Sequence, residues 1–297
     1  MSLPRLALAV IGDEIGPSLE EMISFCQEHE VRRLDMRTVN GRNLLSMGLD
    51  EATGIARTIE KAGLQVPTFV SPLLKWPANG KNADGSGGKV DFAFDPADCP
   101  AEDPLVHAFD LAVVLGASRI RVFSHLRYPG YKPQDLFGRY ERLIDLAGTY
   151  SVTVEIENEP VCNIATVTDL ADLFGSLTEA VAPNLLPPTL RPLVDIGNAW
   201  AAGKPPSDAE IESLAPRIDL IHLKDRDSAA GRTVPLGDGD IPWARELERL
   251  LGATAKASTT EILASIETHC PQDARNATAR SVAGLRRLAG EIGVELV

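Results

Sequence analysis

The sequence predicts a single (β/α)8 barrel, and three observations support this fold class. Short apolar runs alternate with longer amphipathic segments along the whole chain, which is typical of βα units around a parallel sheet. Eight such pairs can be counted, and a length of 297 residues accommodates eight units and one long loop. No linker-like stretch divides the chain, so residues 1–297 are expected to form one domain.

The predicted strands are short runs rich in aliphatic and β-branched residues. In chain order they cover 6–11, 32–37, 65–70, 119–124, 153–158, 192–196, 220–224 and 262–267. The predicted helices cover 17–28, 50–62, 104–115, 133–150, 167–180, 208–215, 242–251 and 274–292. Several have helix start or stop signals, such as Ser18 after Pro17 at a start and Gly63 or Gly116 just past an end.

Residues 71–103 break the alternation. They include WPANGKNADGSGGK, a stretch rich in Gly, Asn and Asp that is typical of a long irregular loop. In a barrel this loop follows the third strand and lies over the mouth. A mobile lid and an inert insertion are both compatible with the sequence.

Composition narrows the function classes. Hydrophobic residues make up 44% and charged residues 24%, which is typical of a soluble globular protein. The formal net charge of −13 disfavours nucleic acid as a partner, although a local Arg or Lys would still allow a phosphorylated substrate. The four cysteines form no CxxC pair and are expected to be reduced. We expect no membrane span and a cytoplasmic protein.

Strand alternation predicts which side chains face the barrel interior. If the apolar residues at the ends of strands five to eight face the helices, four metal-capable side chains face inward at the carboxyl-terminal mouth. They are Glu157, Asp195, His222 and Glu267. Three converging acids without a compensating cation would repel one another, so a divalent metal ion is the expected neutraliser. This oxygen-rich donor set favours Mn²⁺, Mg²⁺ or Co²⁺, and Zn²⁺ remains possible.

Further polar residues are predicted around this centre. Arg121 and Glu155 both face inward and are expected to pair beneath the metal. Lys224 lies on the same face as His222 and either contacts a substrate oxygen or pairs with a carboxylate. Candidate substrate contacts at the rim, each with an ordinary loop role as the alternative, are His125, Glu159, Asn198, Trp76, Arg127 and Lys75, with His269 as a further neighbour of the centre.

The motifs at these strand ends give a family resemblance over nearly the whole chain. VEIENEP surrounds Glu157, LVDIGN surrounds Asp195, IHLKD contains His222, PLGDGDIPW follows strand seven, and SIETH surrounds Glu267. Together they resemble the xylose isomerase-like barrel superfamily of sugar isomerases, epimerases and inosose dehydratases. The resemblance implies that the four residues bind the metal and that Glu157 and Glu267 flank the substrate as acid/base groups.

Two positions depart from many members of that superfamily. Glu159 and Asn198 stand where many relatives have histidine, so the substrate of a particular epimerase cannot be assigned to this chain from the resemblance. The function of the related apurinic endonucleases is disfavoured, because their multi-zinc site needs more histidines than the five present here.

Three functions follow as expectations. The first is a metal-dependent isomerase or epimerase in carbohydrate metabolism, acting on a sugar, sugar phosphate or polyol ketone through an enediolate. The second is a metal-dependent dehydratase or lyase that expels a group from the same enediolate. The third, less favoured, is a sugar-binding barrel without catalysis. The expected partner is a small sugar or polyol, and a homo-oligomer is compatible with the sequence.

Overall fold

A computed structural model describes residues 2–78, 94–180 and 187–297. Eight parallel strands of this part of the chain form one sheet. They are Arg5–Ile11 (β1), Leu34–Asp35 (β2), Thr68–Phe69 (β3), Arg119–Val122 (β4), Thr153–Glu157 (β5), Leu190–Asp195 (β6), Leu220–Leu223 (β7) and Glu261–Ile266 (β8). Each of these strands overlaps one of the predicted strands, and none extends more than two residues beyond it.

The sheet curves into a nearly closed barrel. Its hydrogen-bonded order is β2-β1-β8-β7-β6-β5-β4-β3. The two ends, β2 and β3, are joined by isolated parallel bridges between Arg33 and Gln65 and between Met36 and Phe69. The order therefore follows the chain around a ring, and the predicted barrel fold is confirmed.

Helices connect successive strands. Those in the described residues are Leu19–Glu28 (α1), Leu49–Lys61 (α2), Pro104–Leu115 (α3), Phe137–Tyr150 (α4), Val167–Ala180 (α5), Ile196–Ala201 (α6), Asp208–Leu214 (α7), Trp243–Lys256 (α8) and Ala274–Glu291 (α9). The predicted start signal at Ser18 is a full capping box with Glu21, and Gly116 ends α3 in the left-handed conformation at φ +72°.

The segment after β6 differs from prediction, because two helices stand where one was expected. The Asp195 carboxylate accepts a hydrogen bond from the Asn198 backbone N–H at 2.7 Å, so α6 begins directly after the strand. Gly203, with φ +72°, and the Pro205-Pro206 pair then separate α6 from α7. Asp195, one of the four residues predicted to bind a metal, therefore also caps a helix.

The core has two parts, as strand alternation predicts. Val154, Ile156, Val194 and Ile221 belong to a large apolar cluster between strands and helices, together with Leu223, Ile262, Ala264 and Ile266. The opposite strand faces form a small separate cluster of Ala7, Ala9, Leu193, Leu220 and Leu263. These five residues fill the barrel interior, and the polar centre lies at the other end of it.

Loops shape the mouth. Two short hairpins extend from strand ends, one pairing Thr38–Val39 with Arg42–Asn43 and one pairing Asp225–Asp227 with Arg232–Val234. The start of the predicted long loop, 71–78, packs against the β4 end, where Leu126 N–H donates to the Trp76 carbonyl at 3.1 Å. Residues 79–93 of the predicted loop lie outside the described residues, and they include most of the Gly- and Asn-rich stretch that suggested a lid or an inert insertion. The described helices include none long and apolar enough to cross a membrane, and the four cysteines are free.

The loop after β7 is fixed from two sides. The Asp225 carboxylate accepts hydrogen bonds from the backbone N–H groups of Gly237 at 2.8 Å and Gly239 at 3.1 Å. On the other side, Leu236 N–H donates to Ser281 Oγ at 3.0 Å, which ties the loop to α9. At Gly284, one helical turn later, an added Cβ would clash with the Leu236 backbone carbonyl. Close packing of α9 on this loop therefore requires a glycine.

Gly284→Ala is expected to lower the free energy of unfolding by about 1–3 kcal/mol, because the backbone oxygen of Leu236 has to move. Gly290→Ala in the same helix is the control, since an added Cβ there meets nothing within 4 Å. The control should stabilise the protein by up to about 1 kcal/mol. Chemical denaturation of both variants measures the difference, and equal stabilities would contradict the packing.

Candidate metal centre

Four strand ends bring their polar side chains to one point. Glu157 ends β5, Asp195 ends β6, His222 lies within β7 and Glu267 directly follows β8. One ligand atom from each of the four lies within 4.8 Å of the others. All four side chains are buried, with residue exposures of 0–1%. The strands that carry these residues are neighbours in the barrel, and strand alternation turns the four side chains toward its interior, so they meet at one point.

The imidazole of His222 lies between two of the acids. Its Nδ1 is 3.1 Å from Glu157 Oε1 and 3.4 Å from Glu267 Oε2. Its other nitrogen, Nε2, is buried and has no hydrogen-bond partner among the described residues. A buried polar atom without a partner is costly, so this nitrogen is available to a ligand that the chain does not supply.

The expectation that these acids lack a compensating cation is wrong. Arg121 Nη1 is 3.0 Å from Glu157 Oε2, and Lys224 Nζ is 2.7 Å from Glu267 Oε2 and 2.9 Å from Asp195 Oδ2. Pairing with a carboxylate is one of the two roles expected for Lys224. The contact of Arg121 with Glu157 was not predicted, because long side chains lean along a strand toward its end, beyond the level of their own Cα. Repulsion among the acids is thus partly relieved within the chain.

Arg37 is a buried site residue that the sequence reading missed. Its guanidinium donates from Nη1 to Glu267 at 2.8 Å, from Nη2 to Glu14 at 2.6 Å and from Nε to Asp13 at 2.9 Å. A planar guanidinium with five donors can hold three carboxylates in fixed orientations. The alternation of RRLDMRTV gave a signal, because Arg37 has the same inward parity as Asp35 and lies two strands from Glu267 around the barrel.

The centre retains an excess of acids. The contacting carboxylates of Asp13, Glu14, Glu157, Asp195 and Glu267 face the cations of Arg37, Arg121 and Lys224. Five acids exceed three permanent cations by two, and His222, whose pKa Glu157 and Glu267 raise to about 10, offsets one of these charges, so a small negative charge remains that suits a further cation. A second group of metal-capable atoms, from Glu14, Glu267 and His269, lies beside the first. There the Arg37 guanidinium already binds both carboxylates.

The environment shifts the pKa values of the four residues in different directions. Burial raises the pKa of Glu157, but the neighbouring His222 and Arg121 outweigh it and lower that pKa to about 2. Burial outweighs Lys224 at Asp195 and raises its pKa to about 6. Burial lowers the pKa of His222, whereas Glu157 and Glu267 raise it to about 10. Burial opposes the charge on Glu267, but Lys224 and His269 hold the pKa of Glu267 well below its usual range.

The predicted pairing of Arg121 with Glu155 is also wrong. The two residues are Cα partners across β4 and β5, yet the guanidinium of Arg121 reaches forward to Glu157. Its Nε donates to the Ser71 carbonyl at 3.2 Å, which directs it toward the mouth. Glu155 stays at the barrel bottom, 3.6 Å from Arg119, where burial and the nearby Asp219 raise its pKa well above the usual range.

The other predicted rim residues divide into two groups. Lys224 and Asn198 join the centre, although the Asn198 side-chain amide donates to the Asn158 carbonyl at 2.8 Å. His125 is buried with its Nδ1 3.0 Å from the Trp76 carbonyl, at the side of a cavity of about 480 Å³ that Trp76 also lines.

The second group lies further along the rim. Glu159 lies 3.2 Å from Lys75, and Arg127 donates to the Pro160 carbonyl at 2.6 Å. Both side chains therefore have internal partners at the outer edge of the mouth.

The donor set fits a divalent ion. Oxygen ligands lie about 2.0–2.1 Å from an octahedral ion such as Mg²⁺, so ligands on opposite sides are about 4.2 Å apart, and ligands of a tetrahedral Zn²⁺ are about 3.4 Å apart. The observed spread of up to 4.8 Å requires only small rotations of long carboxylate side chains. The imidazole contributes Nδ1, which lies 3.1 Å from Glu157 Oε1 and 3.4 Å from Glu267 Oε2 and is therefore located among the carboxylate oxygens. Glu157, Asp195, His222 and Glu267 would hold the ion.

A comparison with known protein families shows which family the chain belongs to. The profile of the xylose isomerase-like TIM barrel family matches residues 24–288. The chain belongs to this family. A comparison with curated protein sequences gives no match. Within this xylose isomerase-like barrel, the matched range includes all four converging residues.

Solved structures share the fold. An IOLI protein with a bound zinc atom has a TM-score of 0.68 at 14% identity, covering 96% of this chain and 98% of that one. The probable 3-DHS dehydratase AsbF of Bacillus anthracis has a TM-score of 0.67 at 16% identity, covering 94% and 98%. A D-tagatose 3-epimerase-like protein has 0.62 at 15%, covering 96% and 98%. At these identities the likeness concerns the xylose isomerase-like fold alone.

His222→Ala is expected to weaken metal binding by about 100-fold or more, because it removes one ligand and leaves Glu157 and Glu267 without the imidazole. Titration of the metal-free protein with Mn²⁺ and Zn²⁺ by calorimetry measures this. Glu155→Gln is the control, since this buried residue lies two positions before Glu157 and outside the converging group. Equal affinities in the His222 variant and the parent would contradict the assignment.

Proposed function

We propose that this protein is a divalent-metal-dependent isomerase or epimerase of a sugar or polyol ketone. The observation that supports the proposal most directly is the convergence of Glu157, Asp195, His222 and Glu267 at the carboxyl-terminal mouth of the barrel. Active sites of (β/α)8 enzymes lie at this end, built from strand ends and the loops that follow them. Membership in the xylose isomerase-like family supports the substrate class.

The chemistry divides between the ion and the chain. When bound, the ion would polarise a substrate carbonyl and its neighbouring hydroxyl and stabilise the charge that develops on them. Glu157 and Glu267, three strands apart around the barrel, would remove a proton from the carbon beside the carbonyl and return one. Arg121 and Arg37 fix the orientation of these two carboxylates through hydrogen bonds of 3.0 and 2.8 Å.

Rim side chains would bind the substrate. Lys224 and Asn198 line the centre, and His125 and Trp76 share a cavity on the β4 side. Glu159 and Arg127 lie further along the rim, where they would contact distant hydroxyl groups. Burial holds His125 as a neutral imidazole, since it lowers its pKa, and a neutral ring can both donate and accept a hydrogen bond.

A dehydratase of a keto-polyol is the second candidate. The specific observation in its favour is the full-length structural likeness to a probable dehydratase, AsbF. The first step would be the same proton removal, followed by loss of a β-hydroxyl group instead of reprotonation. Product mass separates the two reactions, because epimerisation conserves mass and dehydration removes water. A purely sugar-binding barrel has less support, because nothing in binding alone requires three acids to converge on one imidazole.

Glu267→Gln is expected to abolish turnover and leave the fold intact, because the amide keeps the shape of the side chain but cannot accept a proton. Solvent deuterium incorporation into a panel of ketoses and keto-inositols measures the proton transfer, and mass spectrometry identifies any elimination. Glu261→Gln is the matched control, since Glu261 begins the same strand at the opposite end and pairs with Arg5 at 2.6 Å. Full exchange activity in the Glu267 variant would refute the assignment.

A further inference from the structure

The ammonium group of Lys224 lies between two of the proposed metal ligands. Its Nζ is 2.7 Å from Glu267 Oε2 and 2.9 Å from Asp195 Oδ2. These carboxylates belong to strand ends on either side of β7, so the ammonium bridges them across the strand that carries His222. An internal cation thus already binds oxygens that a metal ion would need.

The fold fixes the aliphatic stem of this lysine. Only 4% of Lys224 is exposed, so its ammonium group lies within the buried mouth. Gly197, in the first turn of α6, packs against its aliphatic stem: an added Cβ would clash with Lys224 Cγ and lie 2.7 Å from the Lys224 carbonyl oxygen. The absence of a side chain at 197 therefore provides the space in which the lysine stem lies.

An ammonium and a metal ion bound to the same two oxygens would oppose each other. A ligated oxygen lies about 2.0–2.2 Å from a divalent ion, and the same two oxygens lie 2.7 and 2.9 Å from Nζ. The two cations would be close neighbours in a buried site, where like charges are poorly screened. The ammonium therefore disfavours binding of the ion.

We propose that Lys224 is a built-in counterion that competes with the divalent ion for Asp195 and Glu267 and so sets the affinity of the centre. This proposal rests on the metal centre of the proposed function. Without metal, Lys224 stabilises the buried acids. When the ion binds, the ammonium leaves at least one carboxylate and turns toward the mouth, where its donors can bind a substrate oxygen.

Two consequences follow for a protein without this charge. The metal-free form becomes less stable, because two buried carboxylates lose their shared partner. The metal-bound form gains, because the ion no longer displaces an ammonium. Removal of Lys224 is therefore expected to lower the stability of the metal-free form and to raise that of the metal-bound form. Removal of a merely structural lysine would lower the stability of both forms.

The test compares Lys224→Met with the parent by titration of metal-free protein with Mn²⁺ alone and by thermal unfolding with and without Mn²⁺. Methionine has a similar length and no charge. We expect the variant to bind Mn²⁺ at least 10-fold more tightly, to melt at a lower temperature without metal, and to show a larger metal-induced rise in melting temperature than the parent. Lys224→Gln, which keeps a hydrogen-bond donor, should give smaller changes in the same directions.

Lys75→Met is the charge-matched control, because Lys75 is also a buried cation of the mouth and lies 3.2 Å from Glu159. The Lys75→Met substitution should change the affinity for Mn²⁺ less than the Lys224→Met substitution does. Unchanged or weaker binding in both Lys224 variants would overturn the competition. If the parent and every Lys224 variant fail to bind Mn²⁺ or Zn²⁺, the proposed metal centre is wrong. If the parent binds the ion tightly and the variants bind it equally well, the metal centre stands and only the competition by Lys224 is wrong.

Discussion

Compensation of buried acids is the constraint on which this mouth depends. Carboxylates from the ends of β5, β6 and β8 meet where water is excluded, and like charges repel strongly there. Arg37, Arg121 and Lys224 relieve part of that repulsion through contacts of 2.7–3.0 Å. The remainder leaves the centre electronegative. A structure that needed only stability would be better served by apolar residues at these positions, so the retained charge indicates a function.

Much of the fold and the position of the site followed from the sequence. A period of two in VTVEIEN and ILASIETH separates the residues of the helix-facing cluster from those of the interior, and the structure shows the same separation. Because all eight strands run parallel, inward residues at their carboxyl ends have to meet at one mouth. This geometric rule predicts where Glu157, Asp195, His222 and Glu267 lie without any knowledge of loops.

The partners of those residues could not be predicted in the same way. Alternation states which side of the barrel a residue faces, but the reach of an arginine or lysine along the strand depends on its rotamer and on neighbouring carbonyls. Arg121 was therefore assigned to Glu155, its Cα partner, when it in fact contacts Glu157. Arg37 ends the predicted second strand, but its partners Glu14 and Glu267 come from other segments, which alternation within one strand does not identify. The helix α6 is not predicted because its cap is the Asp195 side chain itself.

The central claim is that one divalent ion binds among the four converging side chains. Anomalous diffraction from crystals grown with Mn²⁺ tests it most directly, because the signal locates the ion independently of the chain. The account predicts one strong peak within about 2.0–2.4 Å of ligand atoms from Glu157, Asp195, His222 and Glu267. A protein without a peak there, or with the ion bound only elsewhere, would contradict it.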